Sequence, residues 1–474
     1  MSPATPPAPD SGGKSAPGRA PATTAIAALS ELPRRLGLWS AVAVVVGSII
    51  GSGIFRSPAG IAQRLPGPIP MLSVWVVGGL FAMCGALTLA ELSSALPRTG
   101  GVYVFLREGW GRLVAFLFGW AELVVIRAAS LGAVSMTFSE YFLRVLGYDP
   151  SIAPYSDYKH YVAALAIGLT ASFNIVGIRY GSMVQNITTV AKYGGLLFII
   201  LVAFALGLPA TSGEHYTSTV TLTSFSPAVY GLALVSVLWA FDGWADLSFV
   251  AGEVKDPRRN LPRALIGGSL LVLGIYLLAN LAYLAVLSVE EIAQSPLVAA
   301  EVAERLLGQP GVVFVAMTVM LSTFGTLNGS LLTAPRIFFA MAEDRLFFKP
   351  VAAIHPRFET PYVAIGLAAA LGIAWVLLRT FEQLADAFVT AVIPFYALGV
   401  ASIFILRRRP DYDPSYRVPF YPVVPVLFVI ATAYILVNAI MDPTSRWPTL
   451  FTLGMVVVGV PVYYLTVGRR GAPR

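Results

Sequence analysis

Two stretches of the chain place polar and flexible residues inside long apolar runs. The first, from Gly47 to Gly53, holds three glycines and two serines in seven residues. The second, from Trp239 to Asp246, carries two carboxylates, Asp242 and Asp246. Glycine and serine weaken a helix, and a carboxylate at membrane depth must face protein or water. Both runs are therefore predicted to be helices that break and expose polar groups.

A broken helix offers backbone groups that can bind a ligand with one negative and one positive group. Freed N–H groups at the start of a half-helix attract a carboxylate, and freed C=O groups at the end of one attract an ammonium. A zwitterionic amino acid carries both charges at a suitable separation. We expect its carboxylate at the amides of the first break and its ammonium at the carbonyls of both breaks. The amides are those of Gly51, Ser52 and Gly53, the carbonyls are those of Ile49, Trp239 and Ala240, and the other predicted site residues are Phe241, Asp242, Gly243 and Trp244.

Composition decides what kind of protein could hold such breaks. Hydrophobic residues make up 57% of the 474 residues and charged residues only 12%, against about 45–50% and about 25% in soluble domains. These values exclude a soluble enzyme, a disordered chain and a disulfide scaffold. Cys84 is the only cysteine, so no intrachain disulfide and no multi-cysteine metal site can form. The apolar runs do not alternate with polar residues as β-barrel strands do.

Twelve apolar runs predict an all-α integral membrane protein with twelve transmembrane helices. Of the 32 Lys and Arg residues, 23 fall on the side of the N-terminus, seven on the other side, and Arg127 and Lys192 inside spans. This bias predicts that both termini are cytoplasmic. It also explains the net charge of +7 without nucleic-acid binding. The predicted spans are 37–56, 71–95, 112–145, 160–178, 186–208, 227–251, 263–287, 311–342, 362–379, 384–406, 422–441 and 447–467.

The order of the spans predicts an internal repeat. Spans 1 and 6 are both interrupted, spans 3 and 8 are both unusually long, and each pair holds the same place in a five-span unit. Because five is odd, the second unit must be inverted, and paired interrupted spans point to a transporter site at mid-membrane. Close packing of small residues would explain the glycines of span 1 alone. The predicted organisation is a disordered tail 1–34, repeats 35–208 and 227–406, and spans 11 and 12 with a short C-terminus, 407–474.

The leading function from these features is secondary transport of an amino acid. No nucleotide loop, metal-ligand spacing or nucleophile arrangement lies in the spans, so we predict no cofactor, no metal and no enzymatic activity. A proton-coupled amino acid or polyamine symporter is an alternative within transport. A membrane sensor that binds an amino acid without moving it is an alternative of another class, although the terminal tails are short and featureless.

The stretches GSIIGSGIF and ELSSALPRTGGVYVFLREGWG resemble the span 1 signature and the span 2–3 loop of the amino acid–polyamine–organocation superfamily. The stretches WAELVVIRAASLGAVSMTFSEY, FDGWADLSFVAGEVKDPRRNLPRA and STFGTLNGSLLTAPRIFFAMAEDRLF resemble its L-type amino-acid transporter branch. The resemblance implies the twelve-span fold with a five-plus-five inverted repeat. It also implies sodium-independent exchange of amino acids, most often neutral ones, across the plasma (inner) membrane.

The resemblance assigns roles to four residues. Trp239 stands where the family keeps an aromatic gate, and ordinary packing is its alternative role. Lys192 matches a lysine common in sodium-independent members, where its ammonium fills the space that holds sodium in coupled relatives. Its expected partners are the carbonyls near Gly47 and the hydroxyl of Ser322 or Thr323.

Several positions of this chain differ from the pattern of the family it resembles. Ala245 stands where members commonly have Asn, and Asp242 where members have either an acid or glycine. Asp242 could favour cationic substrates or accept freed backbone N–H groups. No cysteine lies in 146–160, so a disulfide-linked heavy chain is not expected. Glu122 and Arg127, five residues apart, are about 140° apart on an α-helix and are not expected to form an ideal same-face pair.

Overall fold

The computed structural model describes residues 34, 36–98, 100–176, 181–211, 213–216, 226–358 and 360–467. The predicted tail 1–34, apart from Arg34, lies outside the described residues. The helices are α1 Leu38–Ile49, α2 Gly53–Arg64, α3 Pro68–Ala95, α4 Val102–Trp110, α5 Arg112–Val145, α6 Tyr155–Val176, α7 Gly181–Val202, α8 Pro227–Phe241, α9 Asp246–Phe249, α10 Pro257–Leu284, α11 Val289–Gln294, α12 Val298–Glu343, α13 Tyr362–Leu378, α14 Phe381–Leu406, α15 Val423–Met441, α16 Arg446–Val457 and α17 Gly459–Thr466.

The molecule is a multi-pass helical membrane protein. Among the described residues, eight helices are long and apolar enough to cross a membrane, or nine when the bent pair α1–α2 counts as one span. Helices α8 and α13 are apolar but shorter. Helical segments coincide with all twelve predicted runs, but twelve crossings and the inverted repeat stay predictions. Within the described ranges the β-pairing is a single isolated bridge, between Leu36 and Val254.

Both predicted breaks are present. Helix α1 ends at Ile49, α2 begins at Gly53, and the two axes are bent by 42°. Helix α8 ends at Phe241, and the chain then turns through Gly243, whose φ is +105°. A positive φ of this kind favours glycine because a Cβ would clash with the backbone. Composition therefore located both interruptions to within a few residues.

We name the two ends of the helix bundle by the course of span 1. The entry face is the end where the described chain starts, and there Leu36 exchanges backbone hydrogen bonds with Glu253 and Lys255. The far face is the opposite end of span 1, at Arg64. At the entry face Arg409 donates to Glu108. Burial opposes ionisation of Glu108, but hydrogen bonds from Arg409 and Arg107 outweigh burial and hold the pKa of that carboxyl below its usual value.

Glu91 anchors the loop after α14 to the end of α3. Its carboxylate is fully buried and accepts hydrogen bonds from Arg407 at 2.6 and 2.8 Å, from the Tyr412 hydroxyl at 3.0 Å and from the Val418 N–H at 2.6 Å. A buried carboxylate is tolerated only when it is paired and fully hydrogen-bonded. Through Arg407, the basic run 407–409 therefore ties the loop after α14 to the distant end of α3.

Replacing Glu91 with Gln should destabilise the protein, because Arg407 loses its charged partner in a buried setting. Breaking a buried pair by removing one member costs about 3–5 kcal/mol. The exposed pair Arg258–Asp413 provides the control, since Asp413→Asn should cost at most about 1 kcal/mol. Thermal unfolding of both purified variants in detergent measures the difference. Equal unfolding temperatures for the two variants would contradict the anchoring role.

Candidate functional site

The two breaks lie directly against each other. A Cβ added to Gly53 would lie 2.4 Å from the Ala240 Cα, and one added to Gly243 would lie 2.6 Å from the Ser48 carbonyl carbon. Both distances are shorter than any ordinary contact, so each glycine lets one backbone touch the other. The predicted site residues of spans 1 and 6 are thus brought together at one place.

The start of α2 presents open N–H groups toward this meeting point. The first N–H groups of a helix have no partner inside it, and α2 begins at Gly53. Ser52, at the N-cap position, makes no side-chain cap to them. The positive end of the helix dipole lies in the same place, so this turn can accept a carboxylate.

Tyr276, on α10, lies within hydrogen-bond distance of both breaks. Its hydroxyl lies 2.8 Å from the Ile49 carbonyl oxygen and 2.9 Å from that of Ala240, and the side chain is fully buried. These are two of the three carbonyls expected to receive an ammonium. The sequence carried no signal for Tyr276, since a lone tyrosine in an apolar run looks like core packing. Sequence reasoning therefore missed this residue outright.

The aromatic residues of span 6 divide into two groups. Trp239 meets the rings of Phe381 and Phe388 edge-on, at centroid distances of 6.0 and 5.1 Å. Phe241 packs instead against Trp75 and Tyr276 on the opposite side, and Trp244 packs against Tyr396 and Phe428. Trp239 faces the start of α14, whereas Phe241 and Trp244 hold the break against its neighbours.

Lys192 reaches the first break from α7. Its Nζ donates to the Gly47 carbonyl oxygen at 2.9 Å, and the residue is 4% exposed. Gly47 is one of the carbonyls at which the family resemblance placed this ammonium. A buried ammonium needs acceptors, and the carbonyls at the end of α1 supply one.

The two hydroxyls expected beside Lys192 behave differently from each other. Thr323 donates to the carbonyls of Val319 and Met320 in its own helix, α12. Ser322 is fully buried, and its Oγ has no hydrogen-bond partner within the described residues. The structure gives neither of them a hydrogen bond to Lys192, so their coupling role stays a prediction.

The two carboxylates of span 6 are tied to different elements. Asp242 accepts a hydrogen bond from the Tyr396 hydroxyl of α14 at 3.1 Å. Asp246 is hydrogen-bonded to the side chain of Ser48, next to the first break, and does not cap α9. Asp246 is therefore a hydrogen-bond anchor between the two broken spans.

The expectation for Glu122 and Arg127 is wrong. Their side chains form an ion pair at 3.2 Å, because α5 contains a π-helical turn over Glu122–Ile126. A π-turn has an i→i+5 repeat and so brings residues five apart onto one face. Arg127 does not reach outward but lies near both Asp242 and Asp246. The α-helical periodicity used for the prediction does not hold at this turn.

Comparison with known proteins finds similar chains among amino acid permeases and transporters. A family model described as amino acid permease matches residues 36–461. The serine/threonine exchanger SteT of Bacillus subtilis is 32% identical over 437 residues, which cover 91% of this chain and 97% of that protein. The human b(0,+)-type amino acid transporter 1 is 31% identical, with 92% and 89% covered. The human large neutral amino acids transporter small subunit 2 is also 31% identical, with 94% and 82% covered.

Gly53→Ala should disrupt the site even though it adds one methyl group. The new Cβ would meet the backbone of span 6 at 2.4 Å, so the two breaks must separate and the first-turn amides of α2 must shift. Gly267→Ala is the matched control, because that helical glycine has no heavy atom within 4 Å of an added Cβ. We expect substrate binding to fall at least about tenfold in Gly53→Ala and to be unchanged in the control. Binding by scintillation proximity on purified protein measures this, and wild-type affinity in Gly53→Ala would refute the assignment.

Proposed function

The chain belongs to the amino acid permease family, and from this premise we propose that it exchanges neutral L-amino acids without sodium. It is an amino-acid transporter of the membrane and not an enzyme. The observation that carries the finer proposal is the direct contact of the two breaks at Gly53 and Ala240. This contact puts open N–H groups and carbonyl groups of two helices around one point.

The substrate backbone binds between these groups. Its carboxylate takes the amides of Gly51, Ser52 and Gly53, at the positive end of α2. Its ammonium takes free lone pairs of the Ile49 and Ala240 carbonyls, since each oxygen has two and the single proton of the Tyr276 hydroxyl can occupy only one of the four at a time. Tyr276 thus holds the two carbonyls close to one hydroxyl before the ligand arrives. Such preorganisation lowers the cost of binding.

Transport follows from alternating access around this point. We propose twelve crossings with a five-plus-five inverted repeat, in which the entry face is cytoplasmic and the far face extracellular. Trp239 closes the extracellular side, since it lies in the last turn of α8 before the break and its ring packs against Phe381 and Phe388 at the start of α14. The location in the inner (plasma) membrane is part of the same proposal, as is action without a heavy chain.

Sodium independence rests on Lys192. Its ammonium lies at the Gly47 carbonyl, a backbone oxygen that a coupling cation would otherwise use. A fixed charge there satisfies the freed carbonyl and ties the end of α1 to α7. No inward sodium gradient is then needed to complete the site.

Acceptance of cationic amino acids is a second candidate. Beside the break, three carboxylates (Glu122, Asp242 and Asp246) accompany the single guanidinium of Arg127. Glu122 is neutralised by its ion pair with Arg127, whereas Asp242 receives only the neutral Tyr396 hydroxyl. A substrate ammonium or guanidinium on a side chain would find carboxyl acceptors here.

Counterflow in proteoliposomes tests the function. Vesicles are loaded with one amino acid, and uptake of a labelled one is measured against a panel of all twenty competitors. We expect competition by neutral amino acids and uptake only into loaded vesicles. Competition led by lysine and arginine would favour the second candidate, and uptake driven by an inward pH gradient into empty vesicles would indicate proton symport. Binding without any flux would indicate a sensor.

We expect Lys192→Ala to exchange more slowly than the wild type. We also expect the wild-type exchange rate to be the same in sodium and in choline buffer. The lost ammonium leaves the Gly47 carbonyl without its donor, which costs about 1–3 kcal/mol and loosens the end of α1. Lys255→Ala is the control, because that lysine is exposed at the entry face, away from the breaks. Exchange rates are compared in the two buffers for all three proteins. Strict sodium dependence of the wild type, or unchanged kinetics of Lys192→Ala, would contradict the coupling role.

A further inference from the structure

Arg56 is a buried charge just beyond the first break. It lies three residues after Gly53 in the first turn of α2 and is 8% exposed. Its guanidinium donates to the Pro296 carbonyl at 2.8 Å and contacts both oxygens of Glu140, at 3.1 and 3.2 Å. It also lies 3.2 Å from Glu382. A single side chain therefore joins α2 to α5, to the loop before α12 and to α14.

The four ionic groups of this junction balance in charge. Arg56 and Lys159 are the two cations, and Glu140 and Glu382 are the two anions. Glu140 is 2% exposed and contacts both cations, whereas Glu382 is 50% exposed and contacts Arg56 alone. Separating a buried pair leaves an uncompensated charge, but an exposed carboxylate can exchange its partner for water. The contact that can open at low cost is therefore Arg56–Glu382.

The same guanidinium also contacts the aromatic cluster formed by Trp239, Phe381 and Phe388. It lies over the ring of Phe381, 4.9 Å from the centroid, and Phe381 meets Trp239 edge-on. Glu382 and Phe381 are adjacent residues at the start of α14. A movement of this end of α14 that separates Glu382 from Arg56 therefore also removes Phe381 from Trp239.

We propose that Arg56 is a positioning residue that locks the extracellular side shut, with Arg56–Glu382 as its releasable contact. The inference rests on the proposed function, since it assumes that the far face opens and closes during transport. While the pair is made, α14 holds Phe381 and Phe388 against Trp239. When the pair separates, Arg56 stays with Glu140, and α14 is free to swing away from α2 and α8.

A cysteine placed behind the lock reports its opening. Ala385 lies one helical turn from both Phe381 and Phe388, on the face of α14 that they share, and is 5% exposed. Ala385→Cys is made in a Cys84→Ser background, so that it is the only thiol. Ala369→Cys in α13, also at a site 5% exposed, reports general loosening. Labelling by a charged thiol reagent is timed on purified protein without substrate.

Arg56→Gln should speed labelling of Ala385→Cys about fivefold, the factor that an ion pair of about 1 kcal/mol holds closed. Labelling of Ala369→Cys should not change. Arg144→Gln is the control, since Arg144 makes a partly exposed pair with Glu304 near the same end of α5. Equal acceleration at both cysteines, or the same acceleration by Arg144→Gln, would show a structural role only and overturn the lock.

A double-mutant cycle assigns the effect to the proposed contact. Glu382→Gln should also speed labelling of Ala385→Cys, and it should add nothing in the Arg56→Gln background, where its partner is already gone. The same acceleration in both backgrounds would overturn the assignment. Because no substrate is present, these results do not depend on which amino acid is carried. A negative counterflow panel would therefore refute the proposed function without altering the labelling result.

Discussion

The architecture of this protein depends on two backbones that touch without side chains between them. Gly53 lies against Ala240, and Gly243 lies against the carbonyl of Ser48. In a membrane each freed N–H or C=O group must find a partner inside the protein. The two breaks meet that requirement together, because Tyr276 bridges their carbonyls and Lys192 takes the carbonyl of Gly47. We propose that the N–H and C=O groups they leave open receive a small zwitterion.

The sequence predicted those parts of this arrangement in which a residue type carries a large free-energy cost for a continuous membrane helix. Glycines in a run that needs continuous helix, and carboxylates in a run that faces lipid, are both expensive, so both breaks could be located. Placing Lys192 at Gly47 needed the family resemblance in addition, because depth alone would have allowed its side chain to reach the cytoplasm. The structure gives this lysine the predicted backbone partner but not the predicted hydroxyls of Ser322 and Thr323.

The parts that sequence could not predict depend on local geometry or on contacts between distant helices. Tyr276 looks like any core tyrosine until α10 brings it beneath both breaks. The Glu122–Arg127 pair requires a π-turn, which no α-helical periodicity contains. Arg56 was counted among the loop charges because span 1 was taken to end there, but α2 continues to Arg64 and buries it. In each case the missing information was the path of the backbone, not the type of residue.

The two faces of the bundle hold their buried carboxylates in unequal ways. At the entry face, Glu91 is fully buried and receives four donated hydrogen bonds from Arg407, Tyr412 and Val418. At the far face, Glu140 is equally buried, but the ionic network continues to Glu382, which is half exposed. A fully buried carboxylate with four donors and at most partly exposed partners resists separation, whereas a network that ends in a solvated carboxylate can open there at low cost. The fold therefore places a permanent tie between α3 and the loop after α14, and a separable one between α2 and the start of α14.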